Sequence, residues 1–158
     1  MTSALAEYPA LATFVADARS KEFAILGAAR GGWYAIQVFR HLGMEPKCIC
    51  DAKPPTNGEL DGITVLTHAE TFTKYPKALV VIALLELEAA KRAAENISSE
   101  YDCGKAFLLM EEIIHYFMIK ICSRGVNPQK YLNTLQLYGS RKFNESIVSP
   151  TLSYVMTE

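Results

Sequence analysis

The stretch that decides the fold is FAILGAARGGWYAIQVFRHLG, residues 23–43. It opens with four apolar residues, Phe23–Leu26, continues through a cluster of small residues, and ends in a helical pattern that Gly43 terminates. A short apolar run bounded by glycine is typical of a buried strand, and a glycine after a helical pattern is typical of a helix end. The stretch therefore predicts a strand, a glycine turn and a helix.

Strand and helix patterns alternate downstream of this unit. The further predicted strands are Cys48–Cys50, Ile63–Leu66, Ala78–Ala83 and Lys105–Leu109, and the further predicted helices are His68–Phe72, capped by Thr67, and Leu84–Ser98. A breaker-rich loop, residues 52–62, follows the second strand. This alternation predicts a three-layer α/β fold, a Rossmann-like doubly wound parallel sheet of about five strands in the order 3-2-1-4-5.

Helical patterns flank this α/β unit. Residues 1–20 predict an N-terminal helix that lies on the domain as a lid or partner surface, although Pro9 interrupts its first turns. Residues 21–110 form the predicted nucleotide-binding domain, and residues 111–158 form a helical C-terminal extension that includes a helix from Asn127 to about Tyr138. The end of the chain leaves open that it is a fragment of a longer protein.

Composition bounds the class of protein. The chain has 158 residues, 50% of them hydrophobic and 21% charged, with a formal net charge of -1. Such a chain buries a core, which excludes a disordered tail or a fibre, and it has no net attraction for nucleic acid. Cys48 and Cys50 lie in an apolar stretch, which favours reduced thiols and a cytoplasmic location. The N-terminus lacks the pattern of a signal peptide. No apolar run approaches the roughly 20 residues that are needed to cross a membrane.

Residues 27–32, GAARGG, fit G-x-A-x-x-G, a variant of the dinucleotide-binding fingerprint. Gly27 suits the tight turn that leaves the strand, the small Ala29 lets backbone approach a ligand, and Gly32 allows close packing of helix on strand. The N–H groups of residues 31–33 would face an anion at the start of the helix. The alternative is a Rossmann-like domain whose glycines serve packing alone.

Asp51 lies 24 residues after Gly27, at the end of the next strand, where a carboxylate accepts hydrogen bonds from a ribose or a base. Arg30 is a candidate for pairing with phosphate and is equally a solvated loop residue, whereas Lys53 is by default a solvated loop lysine that would reach a ribose phosphate in the alternative. The predicted ligand-binding residues are Gly27, Ala28, Ala29, Arg30, Gly31, Gly32, Asp51 and Lys53. The catalytic residues stay unknown.

Metal sites are not predicted. Glu112 and His115 have an E-x-x-H spacing, but a carboxylate-bridged di-iron site needs two such motifs and two further carboxylates. Cys48 and Cys50 are not predicted to share a zinc ion. The chain has no G-x-x-x-x-G-K-[ST] loop, which excludes a P-loop kinase or GTPase on motif grounds.

Residues 25–32, Asp51 and the segment GELDGITVL, residues 58–66, together resemble a known family pattern. The chain is similar to the Rossmann-like N-terminal domains of sugar O- and N-acyltransferases, the sialic acid O-acetyltransferase or PglD type. It is also similar to related domains of polysaccharide-biosynthesis proteins and FkbM-type methyltransferases. The resemblance covers roughly residues 22–109. It implies a bound nucleotide or nucleotide-sugar, with Gly27, Ala29, Gly31 and Gly32 around the phosphates and Asp51 at the base or ribose.

The chain departs from those families after Glu111, where neither hexapeptide repeats nor a methyl-donor domain follow. The resemblance therefore implies a nucleotide or nucleotide-sugar binding domain accessory to carbohydrate or surface-polysaccharide biosynthesis. One alternative is a small NAD(P)-dependent oxidoreductase, for which no hydride-transfer site is recognised. The other is an interaction module in which the terminal helices, including the face of Tyr131, Leu135 and Tyr138, bind a second copy or a catalytic partner domain.

Overall fold

The computed structural model describes residues 5–101 and 105–122. The predicted helix at 127–138, with its apolar face, lies outside these residues, as does most of the C-terminal extension. Six strands are present in the described part: β1 Phe23–Leu26, β2 Cys48–Cys50, β3 Glu59–Leu60, β4 Ile63–Leu66, β5 Leu79–Ile82 and β6 Lys105–Phe107. The helices there are α1 Pro9–Ala18, α2 Arg30–His41, α3 His68–Lys74, α4 Leu87–Glu100 and α5 Met110–Tyr116, and a π-helical turn, Phe117–Ile121, follows α5.

The fold is a Rossmann-like α/β arrangement around one mostly parallel sheet. The strand order is β3-β4-β2-β1-β5-β6, and only the pair β3–β4 is antiparallel. This order differs from the predicted 3-2-1-4-5 because a sixth strand, β3, adds to the edge of the sheet outside β4. The parallel strands run β4-β2-β1-β5-β6 across the sheet.

The additional strand comes from a tight hairpin. Leu60 pairs with Ile63, and the two residues between them, Asp61 and Gly62, have φ values of 51° and 84°. A two-residue hairpin turn needs positive φ at both positions, which Asp-Gly supplies readily. The segment predicted as loop therefore folds back on the start of β4.

Helices cover both faces of the sheet and give it three layers. Ile25, Ile49 and Val81 contribute to one core, together with the buried faces of α1, α2 and α5. Leu26, Cys50, Val80 and Ile82 contribute to a second core with residues of α3 and α4, among them Phe72, Ala90 and Ile97. The central strands β1, β2 and β5 are buried along their whole length because helices cover both of their faces.

The N-terminal helix is shorter than predicted and belongs to the core. It begins at Pro9, since proline lacks an N–H and is favoured in the first turn. Its residues Leu11, Phe14, Val15 and Ala18 are buried against the sheet and α5. The helix is therefore a packed layer of the domain and not a lid on its surface.

Signals in the sequence predicted the remaining helices and strands close to their observed positions. Thr67 caps α3 as predicted, in a capping box with Glu70. The thiols of Cys48, Cys50 and Cys122 are buried and not in disulfides. Among residues 5–101 and 105–122, no helix is both long and apolar enough to cross a membrane.

Candidate ligand site at the carboxyl edge of the sheet

The turn after β1 is built around Gly27. Its φ of 122° disfavours an L side chain, and a Cβ here would lie 2.8 Å from the carbonyl oxygen of Ala83. The Gly27 N–H donates to the carbonyl oxygen of Cys50 at 2.8 Å, which ties the turn to the end of β2. Gly27 therefore fixes the turn between the loops that leave β2 and β5.

Gly31 and Gly32 bring the start of α2 onto these loops. A Cβ on Gly31 would lie 2.1 Å from the carbonyl oxygen of Ala83, and one on Gly32 would lie 2.0 Å from that of Gly27. Both residues are buried. The predicted packing role of Gly32 holds, and Gly31 has the same role because the space at its Cα is filled by the chain itself.

Asp51 joins the end of β2 to the glycine turn. Its Oδ2 accepts the N–H of Ala28 at 2.8 Å, and its Oδ1 accepts the N–H of Lys53 at 2.8 Å. An ionised carboxylate has about four acceptor sites, so two such bonds leave capacity for a ligand hydroxyl. The acid predicted from the sequence therefore lies beside the predicted turn and orients its backbone.

The start of α2 faces solvent at this edge. Ala29 is the N-cap, its methyl group provides no capping hydrogen bond, and Ala29 and Arg30 are both exposed. The first N–H groups of a helix lack intrahelical acceptors and carry partial positive charge. The first turn of α2 holds no acidic residue. This end of the helix is therefore electropositive.

One predicted feature of the turn, the role of the Trp33 N–H, needs correction. The N–H of Trp33 donates to the carbonyl oxygen of Ala29 at 3.1 Å, because residue 33 is the first to have an acceptor four residues earlier. It is therefore not available to an anion, unlike the predicted role. The Trp33 ring packs against Tyr34 and Phe117 at centroid distances of 5.5 and 5.6 Å, so packing accounts for it. Lys53 is exposed beside Asp51.

Sequence reasoning missed the Tyr-x-x-x-Lys spacing used by one class of NAD(P)-dependent oxidoreductases, which occurs at Tyr101 and Lys105, at Tyr116 and Lys120, and at Tyr138 and Lys142. The Tyr116 hydroxyl is within 2.7 Å of Nδ1 of His41, near the C-terminal end of α2. Since a helix rises about 1.5 Å per residue, His41 lies about 16 Å from the start of α2. The tyrosine therefore lies away from the glycine turn.

Glu112 and His115 belong to a buried structural cluster. The Glu112 carboxylate accepts the N–H of Leu11 at 2.9 Å and that of Ala10 at 3.3 Å, and so caps α1. Burial raises the pKa of Glu112, although these two hydrogen bonds oppose the shift. Among the described residues, no group of three or more His, Cys, Asp or Glu side chains could hold a metal ion.

His115 is 1% exposed and packs against the ring of Tyr8 at a centroid distance of 5.4 Å. Neither of its ring nitrogens has a hydrogen-bond partner among the described residues. Burial lowers the pKa of His115.

Burial also raises the pKa of Cys48, and it raises that of Cys50 to about 12, so neither thiol is a nucleophile near neutral pH.

Comparisons of the chain with protein-family models, with curated proteins and with solved structures found no match. The resemblance to sugar acyltransferase domains therefore stays a prediction.

Proposed function

We propose that this chain binds a nucleotide, most specifically a nucleotide-sugar, at the carboxyl edge of β1 and β2. In this proposal it acts as an accessory domain in carbohydrate or surface-polysaccharide biosynthesis. The observation that carries the proposal is the 2.8 Å hydrogen bond from the Ala28 N–H to the Asp51 carboxylate. This contact puts an acid suited to a ribose beside a turn suited to a phosphate.

The strand order supports the same edge. From β1 the chain proceeds to β2 and β4 on one side, and then returns to β5 on the other side of β1. Ligands of open α/β sheets bind at the carboxyl ends of the strands, next to the point where the order reverses. The turn at residues 27–30 leaves β1 at this point.

Each proposed role follows from chemistry at that edge. The exposed start of α2 and the cationic side chain of Arg30 would attract a phosphate. Asp51 would accept a hydrogen bond from a ribose hydroxyl or a base through its remaining acceptor sites. Lys53 would lie within the same loop, close to a ribose phosphate. Compared with glycine at this position of the fingerprint, the methyl group of Ala29 narrows the approach to a pyrophosphate.

The test is calorimetric titration and thermal shift with UDP-, GDP-, CDP- and dTDP-sugars, NAD, NADP, coenzyme A and S-adenosylmethionine. A ligand at 100 times its Kd adds about 2.7 kcal/mol to the free energy of unfolding. Binding restricted to nucleotide-sugars supports the proposal. Binding of NAD or NADP alone would support the oxidoreductase alternative for this site. No binding across the panel overturns the proposal and leaves the interaction module.

A pair of variants localises the site. Asp51→Asn keeps the size of the side chain but removes the charge and one acceptor group, so the nucleotide-sugar should bind at least about tenfold more weakly. Asp61→Asn makes the same change at the β3–β4 hairpin, where the carboxylate pairs with Arg40 at 2.9 Å. Asparagine tolerates the positive φ of that position, and binding should be unchanged there. If the two substitutions weakened binding of the nucleotide-sugar equally, Asp51 would not belong to the binding site.

A further inference from the structure

The opposite edge of the sheet, where the strands begin, carries two adjoining cavities. One has a volume of about 560 Å³ and lies between the segments that precede β1 and β5, residues 20–22 and 74–78. The other, of about 310 Å³, lies between the segments that precede β1 and β2. Lys21 and Glu22 line both cavities, so the two adjoin along the amino edge, and together they are called the amino-edge groove.

This groove is basic although the chain as a whole has a net charge of -1. Its lining has five cationic side chains, from Arg19, Lys21, Lys47, Lys74 and Lys77, against two carboxylates, from Glu22 and Glu45. Glu45 is engaged by Arg40 at 2.6 Å. The amino edge therefore has an excess of positive charge and attracts acidic groups.

Helix geometry accounts for only part of this charge. Arg19 and Lys74 lie at the ends of α1 and α3, where a cation stabilises the helix dipole. Lys21, Lys47 and Lys77 lie outside the helices, in the segments that lead into β1, β2 and β5. All three are exposed. Helix stability gives no reason for cations at these positions.

The cations form a row rather than a cluster around one point. They precede three neighbouring strands, β5, β1 and β2, which spread over about 10 Å because paired strands lie about 4.8 Å apart. Alternate residues of an extended peptide are about 6.6 Å apart, so two to three carboxylates at such positions span about 7–13 Å, which covers a row of this length. A single phosphate would need cations that converge. Tyr75 and Pro76 add an apolar surface between the lysines for the side chains of a peptide.

We propose that the amino-edge groove binds an acidic, extended segment of a partner protein. This surface lies at the edge of the sheet opposite the proposed nucleotide site, and the proposal for it does not depend on the proposed function. A partner bound there would leave the carboxyl edge open to its ligand. Association through exposed lysines would be fast and strongly dependent on salt.

The test measures fluorescence anisotropy of a labelled peptide of alternating Glu and Ser residues, with a peptide of alternating Gln and Ser as reference. The full chain should bind the Glu peptide at low salt and release most of it at about 0.3 M salt. The Lys21→Glu/Lys47→Glu/Lys74→Glu variant should bind it at least about tenfold more weakly. The Gln versions of the same substitutions, which change the charge less, should show a smaller loss in the same direction.

The matched control is Lys91→Glu/Arg92→Glu/Lys105→Glu, three exposed cations on α4 and β6. It changes the net charge by the same amount, and the affinity for the Glu peptide should change less than about threefold. Equal losses in both triple variants would overturn the proposal, because net charge alone would then explain binding. Equal affinity for the Gln peptide would also overturn it. So would tighter binding of polyphosphate or phosphatidylserine vesicles than of the Glu peptide.

Discussion

Substitution of Gly31 by alanine tests how tightly α2 packs onto the sheet. The new Cβ would lie 2.1 Å from the carbonyl oxygen of Ala83 and 2.9 Å from its carbonyl carbon. An ordinary contact between carbon and oxygen is about 3.3 Å or longer, so backbone must move by about 1 Å. Alanine gains up to about 1 kcal/mol over glycine in a helix, whereas overpacking against rigid backbone costs about 3 kcal/mol or more.

We therefore expect Gly31→Ala to lower the free energy of unfolding by about 2 kcal/mol or more, which lowers Tm by roughly 4–8 °C. Urea unfolding followed by the fluorescence of Trp33, the single tryptophan, measures the change. Gly43→Ala is the control: its Cβ meets nothing within 4 Å, and its φ of 78° costs about 1 kcal/mol. If Gly31→Ala were no more destabilising than Gly43→Ala, the close packing of α2 would be refuted.

Three further predictions concern buried titratable groups. Burial raises the pKa of Glu112, which means that the folded chain favours the protonated carboxyl group. The stabilisation from this protonation is present at low pH and is lost as the pH rises through the pKa that Glu112 has in the folded chain. Relative to Glu112→Gln, the unmodified chain should therefore lose stability as the pH rises above 4.5, the ordinary pKa of a glutamate, as measured by urea unfolding at a series of pH values. Burial lowers the pKa of His115, so the folded chain favours the neutral ring and loses stability as the pH falls below 6.5, the ordinary pKa of a histidine. His115→Leu should unfold less readily at about pH 5 and gain about 1 kcal/mol at neutral pH, because it removes two buried nitrogens without partners in the described residues. The thiols of Cys48 and Cys50 should react with a maleimide at neutral pH only after unfolding, which mass spectrometry of digests will measure.

Each of these predictions has a contrary result. A constant difference between the parent chain and Glu112→Gln across the pH range would show that Glu112 titrates alike in the folded and unfolded chains. A His115→Leu variant less stable than the parent chain at neutral pH would show that the ring nitrogens are satisfied. Labelling of Cys50 in the native chain would show that its strand opens to solvent.

The sequence predicted those features that depend on neighbours along the chain. Unbroken apolar runs identified β1 and β5, the cluster of glycines located the start of α2, and Thr67 located the start of α3. The β3–β4 hairpin is the exception: Asp61-Gly62 is a strong local signal for it, but the prolines and glycines of residues 52–62 predict a loop there.

Features that depend on distant contacts could not be predicted. Asp51 was placed correctly at the end of β2, but its hydrogen bond to Ala28 depends on which strands pair. The close approach of Gly31 to a carbonyl group depends on the loop after β5, and that of Gly32 depends on the turn itself. The E-x-x-H spacing gave no prediction of a metal site, and it gave no sign either that its glutamate binds the backbone of a helix 101 residues away.

This capping of α1 by Glu112 has a consequence for synthesis of the protein. The helix emerges first among the described elements, yet the carboxylate that satisfies its N–H groups comes with α5, the last of the described α-helices. At about 5–20 residues per second, the ribosome needs roughly 5–20 s to bridge that interval. During this interval the nascent helix has free N–H groups at its start and an apolar face without its final partner. The domain can therefore close only after α5 has been made, and a chaperone that binds nascent chains would find α1 exposed until then.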